Sequence, residues 1–283
     1  MAVRIDAHTH LFPPSQREAR AEIALRDGTF AEIYSEPAAK LASLDQLRTA
    51  MVDAKLDSAV CVGFAFANER DIEEQNTYLL ESASQHAGRV IPLVSLNLSR
   101  PGWRAEAEKC LAGGARGFGE LRPQSQGWDA LGPAAHELCE LAANREAVLL
   151  WHVSEPLGHL YPGKSGGIAP THLALLAAAH ARTKMIAAHL GGGLSFHLQM
   201  PEVRATLQNI WFDTAAAFLL YDNESVSRLV GLAGRDRVLF ASDYPLLSPR
   251  RQLQLIVSSL PGGAVDAVCG GNAQTLFSDT HGK

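Results

Sequence analysis

The sequence has no cluster of basic residues, no long apolar run and few cysteines, and each lack excludes a class of protein. Its 25 lysines and arginines and 30 aspartates and glutamates give a net charge of −5. This charge balance does not favour binding to nucleic acid or to an anionic lipid surface. No stretch reaches the roughly 18 to 20 apolar residues of a membrane span. Arg4 and Asp6 interrupt the apolar opening of the chain, unlike a signal peptide. We therefore expect a cytoplasmic protein without a nucleic-acid or membrane partner.

The few cysteines are spread along the chain and form no C-x-x-C pair. They lie within apolar stretches, as Cys61, Cys110, Cys139 and Cys269. We expect reduced, buried thiols rather than a disulfide framework. Hydrophobic residues make up 47% of the 283 residues and aromatic residues 7%, which is usual for a compact globular protein with a sizeable core.

Eight short apolar runs rich in β-branched residues alternate with segments whose apolar residues follow a helical period. The runs cover residues 3–10, 58–64, 90–97, 115–121, 147–153, 184–189, 210–214 and 238–243. Because no composition break or Gly/Ser linker interrupts the alternation, it predicts a single α/β domain over residues 1–283, a (β/α)8 TIM barrel. Two connections, about residues 11–37 and 154–170, are long, and we expect them to form loops that wall a site at the carboxyl ends of the strands.

Polar side chains close four of the eight runs. The first run ends with His8 and His10, which point to one face of a strand because they are two residues apart. The fifth, sixth and eighth runs end with His152, His189 and Asp243. Such side chains are costly to bury without partners, and the carboxyl ends of barrel strands meet at one face. Imidazoles and carboxylates together bind divalent cations, so the sequence predicts a metal site at this face.

The order and strand positions of these residues resemble the amidohydrolase superfamily, and within it the branch called amidohydrolase family 2. That branch holds metal-dependent hydrolases and the decarboxylases related to aminocarboxymuconate-semialdehyde decarboxylase. The resemblance extends from Asp6-Ala-His-Thr-His10 to a closing Gly271-Asn-Ala-Gln-Thr-Leu-Phe277 that is also typical of the branch. It therefore covers nearly the whole chain.

The resemblance implies roles for the residues that close the runs. His8, His10, His152 and Asp243 would be the ligands of a first metal ion, with zinc the expected metal. His189 would bind a second ion in two-metal members, and would polarise the substrate or orient water in one-metal members. Asp243 would also act as general base toward the water that the metal activates. We expect one or two ions per chain.

Glu120 lies near the end of the fourth run, and Arg122 follows that run directly. Superfamily members with two metals often bridge them here with a carboxylated lysine or a glutamate, so Glu120 is a candidate metal ligand; the alternative is an ion pair with Arg122 or Lys164. The Arg122 fork suits a substrate carboxylate, which makes it a catalytic candidate. The second long connection adds polar residues that are typical either of substrate recognition or of a solvated loop, namely Glu155, His159, Tyr161 and Lys164.

The leading hypothesis is a metal-dependent hydrolase that activates water on a divalent ion to attack an ester, lactone or amide of a small, carboxylated substrate. Glu120 favours hydrolysis, because a carboxylate at its position resembles the hydrolytic branches. One alternative is a metal-dependent, non-oxidative decarboxylase of a small carboxylic acid, and another is a barrel that binds a small ligand or a metal without catalysis. The substrate, the number of ions and whether the protein forms a homo-oligomer stay open.

Overall fold

Eight parallel strands form the centre of the molecule, in a computed structural model that describes residues 2–278. The strands are β1 (Ile5–His10), β2 (Ser58–Val62), β3 (Val90–Val94), β4 (Gly117–Leu121), β5 (Val148–Trp151), β6 (Lys184–Ala187), β7 (Ile210–Asp213) and β8 (Val238–Leu239). Each pairs with the next in sequence order. The predicted (β/α)8 TIM barrel is confirmed, and every strand lies within its predicted run. Residue 1 and residues 279–283 of the predicted domain lie outside the described residues.

Backbone hydrogen bonds between β1 and the segment after β8 complete the barrel. Ala7 N donates to Phe240 O at 2.8 Å, and Asp243 N donates to His8 O at 3.1 Å. Small and branched aliphatic side chains fill the interior, while a larger apolar layer lies between the strands and the helices. The carboxyl ends of the strands therefore face one common space.

Helices follow the strands along the chain. They are α1 (Pro14–Glu18), α2 (Arg20–Arg26), α3 (Gly28–Tyr34), α4 (Leu44–Ala54), α5 (Glu69–Gln85), α6 (Trp103–Ala112), α7 (Pro123–Gln126), α8 (Pro133–Asn144), α9 (Pro170–Ala179), α10 (Pro201–Thr206), α11 (Ala217–Leu220), α12 (Ser225–Ala233), α13 (Pro249–Ser259) and α14 (Asn272–Phe277). Segments of 3-10 helix cover His189–Gln199, Arg235–Arg237 and Gly262–Ala264, the first of them interrupted by non-helical backbone at residues 190–193. A π-helical turn covers Ala267–Gly271. Within residues 2–278, no helix has both the length and the apolar character needed to cross a membrane.

Helix α4 shows how the sequence sets such a helix. Ser43 accepts a hydrogen bond from Gln46 N while the Gln46 side chain accepts one from Ser43 N, and this capping box fixes the start of the helix. Leu47 and Met51 lie one turn apart and are buried in the layer between helix and sheet. Burying each of these side chains stabilises the folded state by roughly 1.5–3 kcal/mol. The apolar residues at helical spacing in the sequence are therefore the ones that pack in this layer.

The four cysteines are free and buried, as predicted. Burial raises the pKa of the thiols of Cys61, Cys110 and Cys139 to about 12 and that of Cys269 to about 11. The thiols therefore stay protonated near neutral pH, and a protonated thiol is a poor nucleophile and a poor metal ligand.

The β1 connection, which we define as residues 11–37, contains helices α1, α2 and α3, so the prediction of a loop there is wrong. These helices enclose a small apolar core of their own, to which the neighbouring segment after β2 contributes two rings. The aromatic members of this aromatic cluster are Phe12, Phe30, Tyr34, Phe64 and Phe66. The rings are spaced irregularly in the sequence, and the helices are only 5–7 residues long, so no helical period reveals them.

The β5 connection, which we define as residues 154–169, is irregular and agrees with the predicted loop. A single backbone bridge joins Val153 to Ile168 at its base. Its tip is open to solvent, with Leu160 90% exposed. Together the β1 and β5 connections form two walls above the carboxyl ends of the strands.

Candidate metal centre and its cavity

Six predicted site residues converge at the carboxyl ends of the strands. His8 and His10 lie on β1 and Glu120 lies on β4, while the other three lie within four residues after the ends of β5, β6 and β8. Those three are His152, His189 and Asp243. All except Asp243, which is partly exposed, are buried. The placement predicted from the ends of the apolar runs is therefore what the fold produces.

The first group of these residues joins β1 to the segment after β8. His8 Nε2 lies 3.2 Å from His10 Nε2, and His10 Nε2 lies 3.6 Å from Asp243 Oδ1. Their three ligand atoms all lie within 4.8 Å of one another. Ring nitrogens and a carboxylate oxygen that converge in this way can share one cation.

The second group joins β4 to the segments after β5 and β6. Glu120 Oε1 lies 2.7 Å from His152 Nδ1 and 3.3 Å from His189 Nε2. The two ring nitrogens are 3.2 Å apart. His152, which the resemblance grouped with the β1 histidines, thus lies with Glu120 and His189 in the structure.

Glu120 lies between the two groups. While its Oε1 faces His152 and His189, its Oε2 lies 4.0 Å from His10 Nε2 in the first group. Four imidazole nitrogens and two carboxylates around one buried space form the mixed nitrogen and oxygen donor set that divalent transition metals prefer. The residues present therefore fit one or two divalent cations.

Burial and neighbouring charge set the protonation of the imidazoles. Burial lowers the pKa of His10 to about 4, with a contribution from the charge of His8. Burial also lowers the pKa of His152 to about 4, together with the Arg122 guanidinium. For His8, burial alone would lower the pKa, but the Asp213 carboxylate raises it to about 10. His10 and His152 are therefore neutral near pH 7, the form in which imidazole binds a metal.

The Glu120 carboxyl is ionised despite its burial. Burial alone would raise its pKa, but His152 and His189, which surround Oε1, hold that pKa well below its usual range. A buried carboxylate in contact with several nitrogen donors is the arrangement expected of a ligand rather than of a surface ion pair.

Two further aspartates hold the first group in place, and the sequence analysis did not single them out. Asp213 at the end of β7 accepts a hydrogen bond from His8 Nδ1 at 2.9 Å and another from His189 N at 2.9 Å. Asp6 accepts from Ser242 N at 2.9 Å, which ties β1 to the segment after β8. Asp213 closes an apolar run as the other site residues do, so the same signal would have identified it.

His189 and Asp243 have left-handed backbone conformations, with φ of +56° and +61°. A residue with a β-carbon in this region carries strain of about 1 kcal/mol or more, and such strain is concentrated at functional sites. The three glycines after His189 have positive φ as well, of +72°, +56° and +91°, which glycine adopts without this strain. At Gly192 there is also a packing reason, because a Cβ there would lie 2.7 Å from the Ser154 carbonyl carbon.

Arg122 is buried and holds the β5 connection. Its Nη2 donates to Gly163 O at 2.8 Å and to Ser165 O at 2.6 Å. Its Nη1 lies 3.1 Å from His152 Nδ1 and 3.9 Å from Glu120 Oε2. These contacts use most of the donors that a substrate carboxylate would need, so they favour a positioning role over the predicted clamp.

The second long connection contributes unequally to the site. His159 and Tyr161 line the cavity above the metal centre. Glu155 instead accepts hydrogen bonds from Tyr161 Oη at 3.3 Å and Tyr221 Oη at 3.4 Å, and lies 3.7 Å from Lys164 Nζ. The pairing of Glu120 with Lys164 that the sequence left open is not what the structure shows, because Lys164 pairs with Glu155.

A cavity of about 380 Å³ opens above the centre and is lined by five of the six residues, all except His8. Its base carries the polar side chains of the centre, and its walls are mostly apolar. The walls include Ile33, Tyr34, Ala39, Phe64, Leu219, Leu220, Pro245 and Leu246. The volume and the apolar walls suit a small organic molecule.

Solved structures with the same fold include several decarboxylases. A 2,6-dihydroxybenzoate decarboxylase complexed with 2,6-dihydroxybenzoate is 17% identical, with a TM-score of 0.74 over 98% of this chain and 99% of that chain. A 5-carboxyvanillate decarboxylase from Sphingomonas paucimobilis is also 17% identical, with a TM-score of 0.76 over the same shares. A dihydroxybenzoic acid decarboxylase from Polaromonas sp. JS666 is 16% identical, with a TM-score of 0.71 over 98% and 97% of the two chains, and has manganese and 2-nitroresorcinol bound.

These structural similarities show the fold, whereas a match to a family model shows which family the chain belongs to. No curated protein is significantly similar to the chain in sequence. The metal in the Polaromonas structure is manganese, so zinc stays a prediction. The family model Amidohydro_2, described as amidohydrolase, matches residues 5–278. Because that match covers nearly the whole chain, the protein belongs to the amidohydrolase family, as its sequence motifs predict.

Proposed function

We propose that the protein is a metal-dependent hydrolase whose two ligand groups would hold two divalent cations, with Glu120 placed to serve as a ligand in both groups. The observation that carries this proposal is the position of Glu120, with one carboxylate oxygen toward His152 and His189 and the other toward His10. A centre for one cation would need no carboxylate between two groups of nitrogen donors.

In the proposed hydrolysis, the residues of the centre have separate roles. Bound divalent cations supply Lewis acidity and lower the pKa of a nearby water to about 7. Asp243 lines the cavity and is more exposed than Glu120, with 13% of its side chain accessible against 6%. It therefore accepts the proton of the attacking water and returns it to the leaving group. Asp213 accepts a hydrogen bond from His8 Nδ1 and so directs His8 Nε2 toward the centre, and Arg122 holds the β5 connection over the centre.

The cavity supports a substrate with a neutral, apolar portion. The walls are aliphatic and aromatic, whereas the guanidinium of Arg122 is occupied by Gly163 O and Ser165 O. A small ester, lactone or amide with an apolar ring or chain fits this surface. A carboxylated substrate, expected from the sequence on the basis of Arg122, has less support.

Decarboxylation is the second candidate, because structures with the same fold are named as decarboxylases of aromatic acids. Phe64 and Tyr34 on the wall would contact the ring of such an acid. In that reaction no water is needed, so Asp243 would bind the cation without serving as a base.

Metal counting tests the two-cation centre. Untagged protein, loaded separately with zinc and manganese, is analysed by plasma mass spectrometry. We expect about two ions per chain and about one in Glu120→Gln, because a bridging ligand is lost. His8→Ala should also lose metal, while His172→Ala, an exposed histidine on α9, serves as the control. One ion per chain in both the wild type and Glu120→Gln would contradict the bridge.

Product analysis separates the reactions. The metal-loaded protein is incubated with dihydrocoumarin, phenyl acetate and acetanilide, and proton release is followed with a pH indicator. In a separate assay the protein is incubated with 2,6-dihydroxybenzoate, and carbon dioxide release is measured. Hydrolysis that is lost in Asp243→Asn supports the proposal. Carbon dioxide release without ester or lactone hydrolysis would replace it with the decarboxylase, and bound metal without turnover would favour the non-catalytic barrel.

A further inference from the structure

The β1 connection places one phenol on the cavity wall that the metal centre does not use. Tyr34 ends helix α3 and lines the cavity. It is 8% exposed, yet its Oη has no hydrogen-bond partner among residues 2–278. A phenol that has no protein partner and opens onto a cavity is free to donate a hydrogen bond to a ligand bound there.

The other polar side chains on the walls differ from Tyr34. Arg122 and Tyr161 also line the cavity, but each is already hydrogen bonded, to Gly163 O and Ser165 O or to Glu155. Lys40 and His159 are exposed at the mouth. Of the two tyrosines that line the cavity, Tyr34 and Tyr161, Tyr34 is the one whose hydroxyl has no hydrogen-bond partner among residues 2–278.

The aromatic cluster fixes the direction of the Tyr34 ring. Its centroid lies 5.2 Å from that of Phe12, 5.1 Å from that of Phe30 and 5.6 Å from that of Phe64, in edge or tilted arrangements. Rings in such contacts have few alternative rotamers. The hydroxyl is therefore held toward the cavity before any ligand arrives, which is the condition for an efficient hydrogen-bond donor.

The electrostatic surroundings keep the phenol protonated. Burial raises the pKa of Tyr34, and the carboxylates of Asp243 and Glu120 raise it further. Asp243 and Glu120 belong to the two ligand groups, and both line the same cavity as Tyr34. A neutral phenol there can donate a hydrogen bond and cannot act as a base.

We infer that Tyr34 Oη donates a hydrogen bond to the substrate oxygen that gains negative charge during the reaction. This inference rests on the proposed hydrolase function, in which water attacks a carbonyl carbon and the carbonyl oxygen becomes the oxyanion. The proton stays on Tyr34 throughout, so the residue stabilises the charge without transferring a proton. Tyr34 is thus a catalytic residue on a segment whose sequence shows no motif.

The test compares metal-loaded wild type with Tyr34→Phe, which keeps the ring in the aromatic cluster. Benzylphosphonate, whose tetrahedral oxygens stand in for the oxyanion, is titrated by calorimetry. We expect about 10- to 30-fold weaker binding in Tyr34→Phe at unchanged metal content. With dihydrocoumarin we expect kcat to fall about 100-fold while KM changes less than about 3-fold.

Tyr221→Phe is the matched control, because Tyr221 Oη contacts Glu155 at 3.4 Å and lies off the cavity wall. It should bind benzylphosphonate as the wild type does. Equal affinities in wild type and Tyr34→Phe, or no binding by either, would overturn the role of Tyr34. Weaker binding in Tyr34→Phe by a protein that hydrolyses no ester, lactone or amide would retain the donor and reject the hydrolase.

Discussion

The two walls of the cavity are held in opposite ways. The β1 connection has an apolar core of its own, in which Phe12 and Phe30 are fully buried. The β5 connection is held by donors that reach its backbone carbonyls, from Arg122 at Gly163 and Ser165 and from Lys164 at His159. One wall therefore depends on packing, which tolerates little change in shape, and the other depends on a few polar contacts.

This difference indicates which wall of the cavity can change in sequence and so alter substrate specificity. A residue such as Tyr34 keeps its direction because the core behind it is fixed, whereas the β5 connection can alter its sequence as long as the carbonyl contacts remain.

Removing a ring from the aromatic cluster should have the largest effect. Phe30→Ala deletes a fully buried side chain that stacks on Phe66 at 5.6 Å and contacts Tyr34 at 5.1 Å. We expect the free energy of unfolding to fall by about 3–5 kcal/mol, measured by urea denaturation. Leu25→Ala, on the same connection but with Leu25 90% exposed, should change it by about 0.5 kcal/mol or less. Similar losses in both variants would mean that the cluster is not a core.

Removing the main polar tie of the β5 connection should have an intermediate effect. Arg122→Met keeps the length of the side chain but leaves Gly163 O and Ser165 O without their donor. We expect a loss of about 2–3 kcal/mol in the free energy of unfolding, together with faster amide exchange across residues 163–168. An exposed arginine, Arg250, gives the control variant Arg250→Met, and unchanged exchange in Arg122→Met would contradict the tie.

Removing the second tie should have the smallest effect. Lys164→Met deletes the hydrogen bonds to Leu157 O and His159 O near the exposed tip. We expect the free energy of unfolding to change by less than about 1 kcal/mol, while limited proteolysis near the tip becomes faster. Leu160→Ser, at a 90% exposed position, should alter neither. If the free energy of unfolding fell as much in Lys164→Met as in Arg122→Met, the Arg122 contacts would not be the stronger of the two sets that hold the β5 connection.

The strands and the six site residues were predictable because each depends on a local pattern. A short apolar run that ends in a polar side chain is visible in the sequence, and the barrel brings the ends of all such runs to one face. The grouping of His152 with Glu120 was not visible, because it depends on distances across the barrel. Tyr34 was missed for a related reason: its direction is set by rings from two segments of the chain, and neither segment shows a period.

The hydrogen bonds around the centre also constrain how the chain folds. Asp6 contacts Ser242, 236 residues away, and His8 contacts Asp213, 205 residues away. Contacts of such long sequence separation form only after much of the loop-closure entropy has been lost. The centre therefore assembles late, when β7 and the segment after β8 have joined β1, and a chain shortened before Ser242 would keep Asp213 but lose the contact that holds Asp6.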